Sequence, residues 1–159
     1  GKKSRARSSG RRHARVRSCM SDRENLIAVC MEWLAKADND LTTAAHTLKL
    51  GKSCPTDTVC FHAQQCVEKY LKAVLVIEGI DFPKTHDLER LIDRIPVELR
   101  PELGSEELAG LTDYATGARY PGWEELSLAT ARSAVALARR VRREVRRGLP
   151  RKALRKKKN

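Results

Sequence analysis

The stretch FHAQQCVEKYLKAVLVIEGIDFPKTHDLERL (61–91) decides the fold of this chain. Apolar side chains fall on one helical face here, which is typical of an amphipathic α-helix. That face consists of Cys60, Val67, Leu71, Val74 and Ile77. The segment AVLVIEGI (73–80) has enough β-branched residues for a strand, but no helix breaker separates it from the preceding helical residues 61–72. We therefore predict one long helix from Thr56 or Asp57 to Gly79.

The segments around this helix also have helical patterns. Pro83 disfavours helix just before it, so a turn is expected at DFPKT, followed by a short helix over 86–95 capped by Thr85. Periodic apolar residues predict three more helices, which cover 21–50, the residues after the cap Ser105 as far as Pro121-Gly122, and 124–147. The predicted fold class is all-α, an up-and-down bundle of four main helices plus one short helix.

The net charge of +12 is unevenly distributed along the 159 residues. Residues 1–19 carry eight basic residues and no acidic one, and residues 139–159 carry twelve basic residues and only Glu144 as an acid. We predict a basic disordered tail over 1–20, a helical domain over 21–148 and a basic tail over 149–159. Such tails bind polyanions or merely solubilise a protein, and residues 1–19 are not native sequence if Met20 is the natural start.

The composition favours a cytoplasmic protein without a membrane segment. No apolar run approaches the roughly 20 residues of a membrane helix, and no apolar stretch follows the basic N-terminus as in a signal peptide. None of the five cysteines has the two-residue gap of a zinc knuckle, so buried thiols are expected. We predict no metal site and no cofactor.

Polar residues form a second face on the long helix. His62, Gln65, Lys69 and Lys72 follow one another at gaps of three, four and three, which places them on one side. A line of cations could bind a phosphate or an acidic partner. The alternative is a solvated face opposite the core.

Lys84 and His86 lie at the beginning of the predicted short helix. Backbone donors and the helix dipole favour an anion there and disfavour the charged form of His86. A neutral imidazole could act as a base or as a hydrogen-bond donor. The alternative is that His86 only holds the turn.

Arg119 and Tyr120 lie in YATGARYPGW (114–123), where Pro-Gly ends a helix. The planar guanidinium suits a carboxylate or a phosphate, and tyrosine adds a ring and a hydroxyl. The alternative is that Arg119 pairs with an acid such as Glu68 or Asp113. No phosphate-binding glycine loop or other strong catalytic motif is present in the sequence.

The series FHAQQ, EKYLKA, KTHDL and ARYP, together with the first-helix sequence MEWLAKADNDLTTAAHTL (31–48), resembles the HEPN domain family (higher eukaryotes and prokaryotes nucleotide-binding), in particular its small prokaryotic ARYP type. The resemblance covers about 25–147. It implies an all-α bundle that pairs as a homodimer, and a minimal nucleotidyltransferase as partner in a module resembling toxin and antitoxin. Many members are metal-independent ribonucleases with an arginine and a histidine separated by four to six residues.

The ribonuclease motif is missing from the predicted domain. No histidine follows His86, and the only pair with the motif's spacing, Arg7 and His13, lies in the N-terminal tail. We therefore predict a non-enzymatic binding module for a nucleotide or RNA, with no catalytic residue. Its ligand-binding residues are Lys69, Lys72, Lys84, His86, Arg119 and Tyr120, with His62 and Gln65 as additional candidates. Two alternatives remain. The protein could be a ribonuclease that uses His86 or His62, or the cluster of polar residues could only stabilise the packing of the helices.

Overall fold

The computed structural model describes residues 9–117 and 120–155, and side chains from residue 22 onward. These residues form five α-helices: α1 (Ser9–Leu48), α2 (Thr56–Ile77), α3 (Leu88–Ile92), α4 (Ser105–Thr116) and α5 (Leu128–Gly148). The described ranges contain no β-strand. The predicted all-α bundle of four main helices and one short helix is confirmed.

The centre of the bundle is α2. Thirteen of its 22 residues are buried, and it contacts each of the other four helices. Four of its largest side chains, Val67, Tyr70, Leu71 and Leu75, are completely buried. The segment 73–77, which would also fit a strand, is helical, because it continues the apolar face of the preceding turns.

Contacts between helices give their directions. Asp40 of α1 contacts His62 near the beginning of α2, whereas the earlier Trp33 lies beside Lys72 near its end, so these helices are antiparallel. Glu107 at the start of α4 pairs with Arg140 in the C-terminal half of α5, and Thr56 at the start of α2 donates to the Leu126 carbonyl just before α5. The four main helices therefore run alternately up and down.

Local signals set the helix boundaries. Gly51 and Gly79 follow α1 and α2 with φ of 59° and 67°, a backbone conformation that glycine adopts without strain. Asp87 caps α3, since its carboxylate accepts from the Glu89 and Arg90 amides, and Thr85 is not the cap that we predicted. Helix α5 begins later than predicted, because the Ser127 hydroxyl accepts from the Thr130 amide and caps it there.

Helical structure continues beyond the predicted domain boundaries of 21 and 148. Helix α1 starts at Ser9, inside the segment predicted as a disordered tail, and the arginines and the alanine of this segment have good helix propensity. After α5, Arg151–Leu154 forms a 3₁₀ turn that packs against α1 and buries Ala153. The apolar side chains of Leu149, Ala153 and Leu154 are removed from water when the chain turns back onto α1. The prediction of a basic tail rested on charge alone and did not include this packing.

The cysteines behave as small hydrophobic residues. Cys30, Cys60 and Cys66 are buried, Cys54 is partly buried, and the Cys19 side chain lies outside the described residues. Burial raises the pKa of the Cys30 thiol to about 11, and burial aided by Asp57 and Cys54 raises the pKa of Cys60 to about 12. None of the helices in the described ranges has the length and apolarity needed to cross a membrane.

Candidate functional site

A polar strip runs along the face of α2 that contacts α1 and the segment before α3. It consists of Asp40, His62, Gln64, Gln65, Glu68, Lys69, Lys72 and His86. Five of these residues come from the predicted site, and they meet because α1 and the 80–87 segment bring one side chain each to α2.

Glu68 is the centre of the strip. Its side chain is only 4% exposed, and it accepts hydrogen bonds from Lys72 Nζ at 2.7 Å, Gln64 Nε2 at 2.9 Å and His86 Nδ1 at 2.9 Å. Burial alone would raise the pKa of Glu68, but the hydrogen bonds from Lys72, Gln64 and His86 outweigh it and bring the pKa below the ordinary value. Glu68 is therefore a carboxylate that organises three donors.

Aromatic rings surround the ammonium group of Lys72. Lys72 Nζ lies 5.4 Å from the Trp33 ring centroid and 5.7 Å from that of Phe82, and the two rings meet edge to face at 6.3 Å. A cation between two aromatic faces gains electrostatic attraction while most of its surface is removed from water. Lys72 is thus held by Glu68 and two rings, and it is not a free surface cation.

A second carboxylate, Asp40 of α1, holds the other end of the strip. Asp40 Oδ1 lies 2.8 Å from His62 Nδ1, and Asp40 Oδ2 accepts from the Lys69 ammonium. Gln65 donates to Gln64 Oε1 at 2.7 Å, and Gln64 in turn donates to Glu68, so a hydrogen-bonded chain leads from Gln65 to the Glu68 cluster.

The charges of the strip are balanced when both histidines are neutral. Lys69 and Lys72 face Asp40 and Glu68, one cation for each carboxylate. Phosphate therefore meets no surplus of positive charge in the interior of the strip, and only the histidines and cations beside it can supply one.

Two further predicted residues, Lys84 and Tyr120, lie outside this network. Lys84 is exposed, two residues before His86, whose side chain is 58% exposed. Tyr120 is exposed and follows the end of α4, where Tyr114 lies near Cys60 of α2. Arg119 lies outside the described residues, so its pairing with Glu68 or Asp113 stays a hypothesis.

The turn after α4 is shaped by Trp123. A Cβ atom on Gly117 would lie 1.9 Å from the Trp123 ring, so only glycine permits this close packing. Gly122 has a φ of 89°, which completes the turn. Gly117, Gly122 and Trp123 thus hold the ends of the segment that carries Arg119 and Tyr120.

Sequence reasoning missed the two carboxylates as organisers of the site. Glu68 precedes Lys72 by four residues, a spacing that indicates an ion pair on one helix and could have identified it. Asp40 has no such local signal, because its partners lie on another helix. Among the described residues, no three histidine, cysteine or acidic side chains are placed to hold a metal ion.

Comparisons with known proteins place this bundle in a family. The family model described as the HEPN domain matches residues 30–148, about three quarters of the chain. The chain belongs to the HEPN family. The resemblance to the HEPN family is thereby confirmed, and the match covers α2 to α5 and the C-terminal part of α1, from residue 30 onward.

A solved structure supports the assignment of the fold. The HEPN chain described here is similar to the protein TT1696 from Thermus thermophilus, with a TM-score of 0.63 and 25% identity, over 76% of this chain and 98% of that one. No curated protein matches the chain. The HEPN bundle is therefore shown by both the family model and a solved neighbour.

Proposed function

We propose that this HEPN domain is a binding module for a phosphate-bearing ligand, a nucleotide or RNA. The observation that carries the proposal is the orientation of His86. Its Nδ1 lies 2.9 Å from the buried Glu68, whereas more than half of its side chain is exposed. The imidazole is fixed on the protein side and open on the solvent side, as a preorganised ligand-binding group should be.

The proposed contacts differ in role. Lys84 and His86 contribute exposed donors for a phosphate, and Arg119 and Tyr120 of the turn after α4 would add a guanidinium group and an aromatic ring. Lys69 and Lys72, with His62 and Gln65, would act from within the strip, because their polar atoms already have partners. In this proposal Glu68 positions His86.

Isothermal titration calorimetry with ATP, GTP and a short RNA tests this proposal. We expect His86→Ala and Lys84→Ala to weaken binding at least about tenfold each, since each removes a charge-assisted or oriented hydrogen bond. Lys152→Ala, which removes another exposed lysine on the 3₁₀ turn after α5, is the matched control and should bind normally. Absence of binding to all three ligands by a folded wild-type protein overturns the proposal.

Arg119 needs a separate variant. Arg119→Ala should reduce affinity without changing the melting temperature if the guanidinium binds the ligand. If Arg119 instead pairs with a carboxylate of the bundle, the same substitution should lower the melting temperature by several degrees and leave ligand binding unchanged. The two outcomes separate a ligand-binding arginine from a structural one.

We also propose that the domain forms a homodimer and pairs with a minimal nucleotidyltransferase in a module resembling toxin and antitoxin. This proposal is supported by membership in the HEPN family and by the resemblance to its ARYP type. Light scattering of the purified chain, alone and with a nucleotidyltransferase encoded beside it, tests both parts. A monomer at micromolar concentration contradicts the dimer, and separate elution of the two proteins contradicts the pairing.

A ribonuclease is the second candidate, and the two carboxylate–imidazole pairs favour it. His86 with Glu68, and His62 with Asp40, each have Nδ1 on a carboxylate oxygen, an arrangement that orients the other ring nitrogen for proton transfer. Such a base could take the proton of a 2′-hydroxyl without a metal ion. The 2′-oxygen would then attack the adjacent phosphorus and expel the 5′-oxygen, which takes up a proton from the imidazolium or from water. The partner carboxylate would stabilise the imidazolium that forms.

Incubation of labelled RNA with the protein in EDTA distinguishes the two candidates. Cleavage by the wild type that is lost in His86→Ala supports the enzyme, and His62→Ala decides which pair is used. His46→Ala, on an exposed histidine near the end of α1, is the control and should cleave normally. Binding of RNA without cleavage at any pH from 5 to 9, a range of about 4 units around the ordinary titration of histidine, supports the binding module alone.

A further inference from the structure

A groove of about 880 Å³ lies between α1 and the C-terminal half of α5, bounded by the turn Arg151–Leu154. Its floor is apolar and is formed by Met31, Leu34, Leu41 and Leu154. None of the residues of the polar strip lines it. The groove is therefore a separate surface on another side of the bundle.

The rim of this arginine groove carries a surplus of positive charge. Its cations are Arg139, Arg142, Arg143, Arg146 and Arg155, and its acids are Glu32 and Asp38. Five cations against two carboxylates leave three positive charges uncompensated at neutral pH. This balance differs from that of the polar strip.

Asp38 holds two of the arginines in place. Its Oδ1 accepts from Arg142 Nε at 2.8 Å, and its Oδ2 from Arg146 Nη1 at 3.3 Å. The same carboxylate accepts from the hydroxyl of Tyr70, a completely buried residue of α2, so it is anchored to the core. These guanidinium groups are thus oriented before any partner arrives, which lowers the entropic cost of binding.

The other arginines are available for a partner. Arg139, Arg143 and Arg155 are exposed, and none of the three has an ion pair within the described part of the chain. They flank an apolar floor on which Met31, Leu41 and Leu154 keep part of their surface in solvent. A partner would therefore bury apolar surface and neutralise charge at the same time.

We propose that the arginine groove docks an acidic amphipathic helix of a partner protein. The apolar floor suits leucine-like side chains at helical spacing, and the three uncompensated charges suit glutamate or aspartate on the flanks of the same helix. RNA fits less well, because no aromatic residue is among the side chains known to line the groove, and single strands bind by stacking on such rings. This proposal does not depend on ligand binding at the polar strip.

The probe is a synthetic helical peptide of about 16 residues with leucines on one face and glutamates on the other. A peptide of the same composition with scrambled order is its control. Fluorescence anisotropy of each labelled peptide with the full chain measures the affinity. We expect the amphipathic peptide to bind at least about tenfold more tightly than the scrambled one, because only the first can place its leucines on the floor together.

Two pairs of variants locate the binding. Arg139→Glu with Arg143→Glu should weaken peptide binding at least about tenfold, since it turns attraction at the rim into repulsion. Arg132→Glu with Arg147→Glu makes the same charge change on exposed positions of α5 that do not line the groove, and it should bind nearly as wild type. Ala35→Trp, which fills the groove from an exposed position of α1, should also abolish binding while circular dichroism stays unchanged.

Four results would overturn the proposal. The first is equal binding of the ordered and scrambled peptides, and the second is equal loss in the two double variants, which would indicate attraction by overall charge. The third is absence of peptide binding by a folded wild type. Tighter binding of a short RNA that Ala35→Trp does not weaken would likewise assign the arginines to a polyanion.

Discussion

The polar strip and the arginine groove both concentrate basic side chains, but they differ in how the charge is compensated. In the strip, Lys69 and Lys72 each face a carboxylate whose side chain is at most 12% exposed. In the groove, five arginines lie beside only two carboxylates, Asp38 and Glu32, and only Arg142 and Arg146 pair with Asp38. Both surfaces have two carboxylates, so the comparison teaches that the excess of cations over carboxylates decides which surface has charge left for a partner.

The largest expected effect is the loss of the central carboxylate of the strip. Glu68→Ala should lower the free energy of unfolding by about 3–5 kcal/mol, because it leaves the buried Lys72 ammonium without a counter-ion. Urea denaturation measures it. Asp38→Ala in the groove should cost less, since Asp38 and its two arginines are partly exposed to solvent.

A double variant distinguishes the loss of the counter-ion from a general failure of the Glu68→Ala protein to fold. Glu68→Met with Lys72→Met replaces the buried pair by apolar side chains and should recover most of the loss. If Glu68→Ala and Asp38→Ala cost the same, the contrast between an internally neutralised strip and a solvent-facing groove is wrong.

The loss of stability at low pH should depend on Glu68. Its pKa in the folded protein is below the ordinary value of 4.5, so it stabilises the fold above that pH, and this contribution is lost as the pH falls through the lowered pKa. Thermal unfolding between pH 5 and pH 2, a span of about 3 units, should show a fall of stability that Glu68→Gln makes shallower.

Glu107 provides the control for the acid experiment. Its pKa is also lowered, mainly by the hydrogen bond from the Gly104 amide, but its side chain is 40% exposed. Glu107→Gln should therefore reduce the loss of stability at low pH less than Glu68→Gln does. A larger effect of Glu107→Gln would mean that the strip is not the main acid-sensitive region.

A smaller loss of stability is expected for a variant of Tyr70, the buried residue that contacts Asp38 of the arginine groove. Tyr70→Phe removes the hydroxyl that donates to Asp38 and should cost about 1–2 kcal/mol in urea denaturation. It should also weaken binding of the acidic peptide, because Asp38 then holds Arg142 and Arg146 less firmly. Unchanged stability together with unchanged peptide affinity would contradict the role of Asp38 as an anchor.

The smallest loss of stability should come from removing an ion pair that lies outside both the polar strip and the arginine groove. Glu107 and Arg140 lie 2.8 Å apart with side chains about 40% exposed, so Glu107→Gln should cost below about 1 kcal/mol at neutral pH. Urea denaturation of this variant gives the scale for a solvent-facing pair. A cost as large as that of Glu68→Ala would remove the distinction between buried and exposed compensation.

Most of the fold could be predicted from the sequence, and the candidate site only in part. The apolar face of Val67, Leu71 and Val74 is a local pattern, and it indicated the central helix correctly. The spacing of His62, Gln65, Lys69 and Lys72 placed them on one side of α2, as they are. The neutralisation of Lys69 by Asp40 could not be predicted, because this contact joins residues 29 positions apart. The spacing of Glu68 and Lys72, in contrast, could have indicated their ion pair.

The sequence by itself determined the helices and the family, because helical periodicity and the order of the FHAQQ, KTHDL and ARYP segments are properties of neighbouring residues. Only the tertiary structure decided the charge balance of each surface. Asp38 meets Arg142 across 104 residues of sequence, and Asp40 meets Lys69 on a different helix. The physical reason is that electrostatic interactions act over distances in space, and only the packing of the helices sets which charges come close.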